Sequence, residues 1–375
     1  MIILYVSKVL NHHQFYFVNE LAKRFPGQVW YATVEYAERR RRMMHFPEFQ
    51  ADWIFSLESE QQRFQDLFLN ADIVLCHDRD QYKLIEKRLE RQKLTFYFSE
   101  RWFKTGYGKL RLLQPRILYL CYLFKKLSKS EQFFFLAQGE FAATDFASLG
   151  IFKGKAFNFG YITNVEEHPY KAEVQLPKRK TNILWCGRFL SWKRVDKLVQ
   201  AFINLSQRQT DIHLTIVGNG PMRKQVEKLV QKCPEQITLY DFLPTDTIRT
   251  LMNQADIYVL PSNGCEGWGA VVNEAMAEGC AIIGGDQAGS IKALVKDGEN
   301  GLLLRKGNVK EISDKLEYLI EKPEVLAQMK EAVRRTAQEW SPQNVCDRFL
   351  HLVQQIQLGK SPYIYHTGSF KILEI

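Results

Sequence analysis

Glu266 and Glu274 bracket the start of a helix in residues 261–279, with seven residues between them. Glu266 falls in a glycine-rich turn and Glu274 a little over one turn into the helix. The intervening Gly267, Trp268 and Gly269 lie where glycine lets the backbone come close to a ligand. Unpaired amides at a helix start make an anion site suited to phosphate. Two carboxylates beside that site suit the hydroxyls of a polyhydroxylated ligand. The same residues also fit a buried turn whose carboxylates merely favour the helix dipole. Arg188 and Lys193 stand five residues apart in the loop 187–193. Arg offers a planar fork and Lys a point charge, and together they can neutralise a diphosphate leaving group. Read alone, they are equally solvated surface cations. Two further loops, Gly218-Asn219-Gly220-Pro221 and 284–289, add glycine turns on the same sheet edge, the first with Pro at the opening helical position.

A second set of candidates sits in the first half. His13, His77, Asp78, Glu100 and Glu140 all lie at or just past the end of an expected strand. An open α/β sheet puts its ligands there. His77 and Asp78 suit the orienting of an acceptor hydroxyl, while Asp78 equally fits the cap of the next helix. Glu140 equally fits a helix-start carboxylate.

The elements that must position these residues alternate. In the first half, strands are expected at 2–6, 28–33, 71–76, 94–99 and 133–137, and helices at 15–25, 81–92 and 140–149. In the second half, strands are expected at 182–186, 213–217, 237–240, 256–260, 281–284 and 301–304, with helices between them. Such alternation implies βαβ units and a parallel sheet, here twice. Residues 164–181 are polar, lack periodicity and contain two prolines, which marks a linker. The expected division is a first domain at 1–163, a second at 182–354, and 355–375 packing back on the first. Two doubly wound domains facing across a cleft would hold a ligand between them.

Composition narrows the classes. The 375 residues are 46% hydrophobic and 25% charged, which excludes a disordered, collagen-like or coiled-coil architecture. The longest strongly apolar run, about 117–124, falls short of the roughly 20 residues of a membrane span. The opening Met-Ile-Ile-Leu-Tyr-Val reads as a first strand, not a leader. Seven scattered Cys without a CxxC argue against disulfides and a Cys-based zinc site. The expected place is the cytoplasm, or peripherally the inner face of the cell membrane. The net charge is +9, and residues 1–165 carry 24 Lys and Arg against 17 Asp and Glu. The first domain should therefore meet something acidic. Residues 101–130 hold eight cations, no acid, and interleaved aromatics, which suits an anionic membrane surface or a polyprenyl diphosphate. A core helix with a solvated basic flank is the plainer alternative. Residues 38–44 form a second basic run. Nucleic acid is not an expected partner, because no nucleic-acid motif accompanies the charge.

Several motifs stand together in a recognisable order. They are Gly187-Arg188 with Lys193, Gly218-x-Gly220-Pro221, Ala255-Asp256 with Pro261-Ser262, Glu266 with Glu274, and Asp297-Gly298 with Asn300-Gly301. Over about residues 180–350 the chain resembles glycosyltransferase family 4, the retaining nucleotide-sugar enzymes of the GT-B fold. That resemblance implies two Rossmann-like domains, with the donor in the second and a terminal helix at 343–355 crossing back to the first. It implies that Arg188 and Lys193 hold the diphosphate, that Glu266 approaches the donor sugar and that Glu274 holds the ribose. The donor-binding set then comprises Gly187, Gly218, Gly220, Phe242, Gly267, Trp268 and Gly269 besides those four, with Arg188, Lys193 and Glu266 catalytic. It also implies a nucleoside diphosphate sugar donor, a glycan or polyprenyl-diphosphate-linked acceptor, and no cofactor or metal. Asn-His-His-Gln at 11–14, Ser-Glu-Arg at 99–101 and Phe-Asn-Phe-Gly-Tyr at 157–161 resemble bacterial capsule and exopolysaccharide glycosyltransferases.

The chain departs from the family pattern at four places. Arg194 stands where Gly is usual, and Gly289-Ser290-Ile291-Lys292-Ala293 lacks the family's Glu. The first loop, 7–14, is not glycine-rich, and Ser99-Glu100-Arg101 replaces a usual His. Rival readings are an epimerase or phosphorylase on the same fold, and a non-catalytic glycan- or membrane-binding subunit.

Overall fold

Apolar runs buried on both faces build two parallel sheets. The structure, a computed structural model, describes residues 1–10, 12–35, 49–104, 108–165, 176, 181–362 and 365–373. The basic run at 38–44 and most of the expected linker lie outside the described residues.

The first unit gathers the described residues of 1–163 with those of 340–375. Its elements are β1 (Ile3–Val9), α1 (His12–Arg24), β2 (Val29–Glu35), β3 (Ile54–Ser56), α2 (Gln61–Asn70), β4 (Ile73–Cys76), α3 (Tyr82–Glu90), β5 (Leu94–Ser99), α4 (Pro115–Leu127), β6 (Phe133–Gln138), α5 (Glu140–Ala147) and β7 (Ala156–Phe159). The strands run parallel in the order β3-β2-β1-β4-β5-β6-β7. Side chains alternate between the faces, as the pleat requires. Leu4 and Val6 enter one core with Tyr97 and Phe135, while Ile3 and Tyr5 enter the other with Phe96 and Phe98. Both faces are buried, which is why these strands read as continuous apolar runs.

The terminal helix, Pro342–Gln357, covers the second of those cores. Ser341 caps it by accepting from Asn344 N, Pro342 opens it, and Val345, Cys346, Phe349, Leu352 and Val353 enter the core. Arg24 of α1 pairs with Asp347 on its outer side. The second unit therefore ends at Glu339, not at 354 as expected. Beyond the helix the chain lies antiparallel to β7. Asn158 N donates to Lys371 O and Leu373 N to Ala156 O, both at 2.9 Å, and so covers the sheet's edge.

One buried cation ties the layer together. Arg88 of α3 is fully buried and donates to Phe68 O, Asp72 O, Leu94 O and Thr95 Oγ1 at 2.9–3.0 Å. Arg88→Leu strips three carbonyls of a charged donor. A loss of about 3 kcal/mol is expected, read as a lower urea midpoint in the first unit's transition.

The second unit spans Asn164–Glu339. It comprises β8 (Thr181–Cys186), α6 (Val195–Ser206), β9 (Ile212–Val217), α7 (Arg223–Val230), β10 (Ile237–Tyr240), α8 (Thr245–Gln254), β11 (Ile257–Leu260), α9 (Val271–Ala277), β12 (Ala281–Gly285), α10 (Gly289–Leu294), β13 (Gly301–Leu304), α11 (Val309–Glu321) and α12 (Pro323–Glu339). The parallel order is β10-β9-β8-β11-β12-β13. Strand order reverses between β8 and β11 here, and between β1 and β4 in the first unit. Ligands of open α/β sheets bind outside the carboxyl ends of strands at such a reversal.

Candidate functional site

In the second unit, the loops after β8 and β11 meet at the reversal. Lys193 Nζ donates to Glu266 Oε2 at 2.7 Å, and Ser262 Oγ donates to the same oxygen at 3.0 Å. Lys193 and Glu266 are 14% and 12% exposed, so the pair is shielded yet reachable. Glu274 is buried in the first turn of α9. Its charge is felt at the end of β8: burial first, then Glu274, push the Cys186 thiol up to about 12, while Lys193 pulls the other way. The expected cation and both carboxylates thus converge on one strand end. Arg188 is half-buried in the same loop, and its carbonyl accepts from Leu190 N at 2.9 Å. A mobile phosphate charge arriving here would compete with Glu266 for Lys193.

The glycines in these loops have a second function that spacing did not reveal. A Cβ on Gly218 would overlap Gly187 O, and one on Gly220 would stand 2.8 Å from both Phe189 N and Phe189 O. Phe189 N donates to Asn219 O at 2.9 Å, and Gly187 N to Val217 O at 3.0 Å. These two loops are packed backbone to backbone, and that contact alone demands glycine. The same holds at the end of β12, where a Cβ on Gly285 would overlap Ser262 O. Gly289 N and Ser290 N donate to Gly267 O and Trp268 O at 3.0 and 2.8 Å, pinning the Glu266 turn onto α10.

Trp268, expected among the donor-binding residues, is fully buried, and its Nε1 donates to Asn273 Oδ1 at 2.7 Å. Its indole supports the turn from below. Phe242 is half-buried after β10, with its amide held by Asp241. Arg194 opens α6 in the left-handed region, φ 53° and ψ 31°. Glycine adopts that conformation without strain, which accounts for the glycine usual at this position. Here the Arg194 guanidinium donates to Lys306 O at 3.1 Å. Sequence reasoning missed Tyr258, fully buried in β11, whose hydroxyl donates to Cys186 O at 3.0 Å and braces β8 against β11. An aromatic hydroxyl in an otherwise aliphatic strand was the available signal.

In the first unit, a pocket of about 450 Å³ opens at the β1–β4 reversal. Lys8, His77, Asp78, Glu100, Arg101 and Tyr161 are among the residues lining it. His77 lies against Phe98 O at 2.9 Å through Nδ1. A carbonyl only accepts, so Nδ1 carries a proton and donates to it. Glu100 Oε1 accepts from the Tyr161 hydroxyl at 3.1 Å and Oε2 from Lys104 Nζ at 3.2 Å. Asp78 accepts from Asp80 N at 2.9 Å and from Gln81 Nε2 at 3.2 Å, so its carboxylate caps the short turn Arg79–Gln81. Arg101 is held by Asp145 at 3.4 Å. Burial pushes the Asp145 carboxyl up, against the pull of Phe103 N and Arg101.

Three of the five first-unit candidates therefore share one pocket. His13 is buried in α1, with its ring centroid 5.5 Å from that of Tyr161. Glu140 does not join them: it accepts from Lys371 Nζ at 2.8 Å and fastens the C-terminal segment to α5. That partner, so distant in sequence, was invisible to spacing.

Residues 167–336 match the family model for glycosyl transferases group 1. The match lies within the second unit and covers a little under half of the chain. An uncharacterised glycosyltransferase of Haemophilus influenzae is 30% identical over 181 residues, 46% of this chain and 51% of its own length. The alpha-D-kanosaminyltransferase of Streptomyces kanamyceticus is 27% identical over 179 residues, 47% of this chain and 46% of its own. The chain thus spans about half the length of the curated relatives it matches. Among solved structures, Anabaena HepE in complex with UDP is similar with a TM-score of 0.68 at 14% identity, over 95% of this chain and 100% of that one. The shared architecture is the GT-B fold. Among the described residues, no helix is long and apolar enough to cross a membrane.

Proposed function

We propose that the chain is a retaining glycosyltransferase of family 4. It moves a hexosyl or related sugar from a nucleoside diphosphate sugar to a glycan or lipid-linked glycan, in surface polysaccharide synthesis at the cytoplasmic face of the cell membrane. The observation that carries this reading is the Lys193–Glu266 pair beside Glu274 at the β8–β11 reversal. The group 1 match over the same unit supports glycosyl transfer, and the UDP complex of HepE favours a uridine diphosphate donor.

In this reading the bond from the anomeric carbon to the diphosphate oxygen breaks as a bond to the acceptor oxygen forms on the same face. The acceptor's proton passes to the departing phosphate oxygen. The sugar becomes oxocarbenium-like while the diphosphate gains charge, and fixed cations aimed at that charge lower the barrier. Lys193 and Arg188 serve that role in place of a metal ion. Glu266, released from Lys193, turns to the sugar, and Glu274 takes the ribose hydroxyls. The first-unit pocket supplies the acceptor side, with His77 and Glu100 as hydrogen-bonding groups.

The test is ligand-induced thermal stabilisation with UDP, GDP, ADP, TDP and CMP. A ligand that binds only the native state raises the melting temperature by mass action. UDP at about a hundredfold over its Kd is expected to shift the wild type by about 3 °C or more. Arg188→Ala and Glu274→Ala should show no shift. A wild type indifferent to every nucleotide would overturn the donor site and favour a non-catalytic binding subunit.

A further inference from the structure

The large hydrophobic side chains exposed to solvent are not scattered. Among the described residues, nine are exposed, and five of them fall between 110 and 122: Leu110, Leu113, Leu118, Tyr119 and Tyr122. Leu113 is 81% exposed and Tyr122 68%. They lie on the short helical turn Gly108–Leu113 and on α4 that follows it. One face of α4 is buried through Ile117, Leu120, Cys121, Phe124 and Leu127. The opposite face should be polar in a helix that meets only water. Its first half instead carries Leu118, Tyr119 and Tyr122, and its second half Lys125 and Lys126, with Lys129 just beyond.

Charge says what would cover this face. Residues 101–130 contain eight Lys and Arg and no Asp or Glu. Four of the cations meet acids: Arg101 with Asp145 and Lys104 with Glu100 at the pocket, and, beside the patch, Arg116 with Asp80 at 2.6 Å and Lys126 with Glu86 at 2.9 Å. The two pairs beside the patch are solvent-exposed and hold their partners weakly. Leucines and tyrosines ringed by lysines match an anionic bilayer: the apolar groups enter the acyl boundary, tyrosine hydroxyls stay at headgroup level, and lysines meet lipid phosphates. A second protein copy would bring the same cations and be repelled.

The patch is also continuous with the pocket. Arg111, from the turn that presents Leu110 and Leu113, lines it, as does Ile117 at the start of α4. We infer that the Leu110–Tyr122 face docks on anionic lipid and so brings the first-unit pocket to the headgroup level, where a lipid-linked acceptor presents its sugar. The acceptor part rests on the glycosyltransferase reading above; the docking part does not.

Vesicle co-sedimentation tests it. Full-length protein is expected to bind phosphatidylglycerol vesicles at least tenfold more tightly than phosphatidylcholine vesicles, and less tightly as salt rises. Leu113→Glu combined with Leu118→Glu should reduce that binding more than tenfold. Lys125→Glu combined with Lys129→Glu should reduce it by about fivefold or more per residue. Leu118→Trp should show a blue-shifted emission on anionic vesicles. The UDP thermal shift, read on every variant, certifies the fold and keeps the two readings apart. Variants that keep the shift yet sediment like the wild type would overturn the docking face. So would a wild type that ignores anionic vesicles, or a dimer in solution that the leucine variants dissociate without any vesicle binding. Loss of the UDP shift in the wild type would instead overturn the donor reading and leave the vesicle result standing.

Discussion

Lys193→Ala is expected to lower the rate of glycosyl transfer by about 10²–10³-fold, the cost of losing one fixed donor at a charge that develops in the transition state. The ground state argues for a loss of this size. Lys193 and Glu266 are 2.7 Å apart and mostly shielded, so the ammonium is already desolvated and aimed. Little reorganisation separates that geometry from one in which a phosphate oxygen replaces the carboxylate. Glu266→Gln should behave differently. It frees Lys193 from a competing charge, so UDP binding should hold or tighten, while transfer falls because the sugar loses its carboxylate. Lys193→Ala should lose both. Parallel measurement of the UDP thermal shift and of kcat separates the two variants. If both keep kcat within threefold of the wild type, the pair is structural and the proposed chemistry fails.

The sheets were legible because both are parallel and buried on two faces. A strand such as β4 or β11 then appears as a short apolar run between helical stretches, with no alternation to confuse it. What escaped were three-residue β3, β7, whose apolar run is broken by Asn158, and α2, which buries only Phe64 and Phe68. The terminal helix was legible as a helix, since Val345, Cys346, Phe349, Leu352 and Val353 recur at helical spacing. Periodicity tells which face is apolar but not which core receives it, and the boundary expected at 354 falls instead after Glu339. In the site, charged residues followed motif order to one strand end. Glu140 did not, because its environment is set by Lys371, a partner no local pattern reveals. Trp268 failed for a similar reason: a large aromatic in a glycine-rich turn reads as a ligand platform, and only the fold shows it seated in the core.

Gly218→Ala is expected to unfold the second unit or leave it at least about 3 kcal/mol less stable, a loss at the severe end for one methyl group. Two independent strains add. The residue sits at φ 141°, which L side chains rarely adopt, and its Cβ would overlap Gly187 O in the loop that carries Arg188. Backbone is the obstacle, so no rotamer change relieves it. Gly220→Ala should follow, with its Cβ 2.8 Å from Phe189 N and Phe189 O. Gly298→Ala is the control: its φ of 81° is strained but nothing lies within 4 Å, so about 1 kcal/mol is expected. Thermal unfolding without nucleotide should rank the three in that order. The ranking distinguishes two uses of glycine that a motif cannot. Were Gly218 and Gly220 there only to let a phosphate approach, their alanine variants would melt like Gly298→Ala and differ solely in UDP binding. Loop-on-loop packing predicts the reverse, a cost present in the empty protein. The loop that presents Arg188 and Lys193 is then held in place by the contact that excludes every side chain at Gly218.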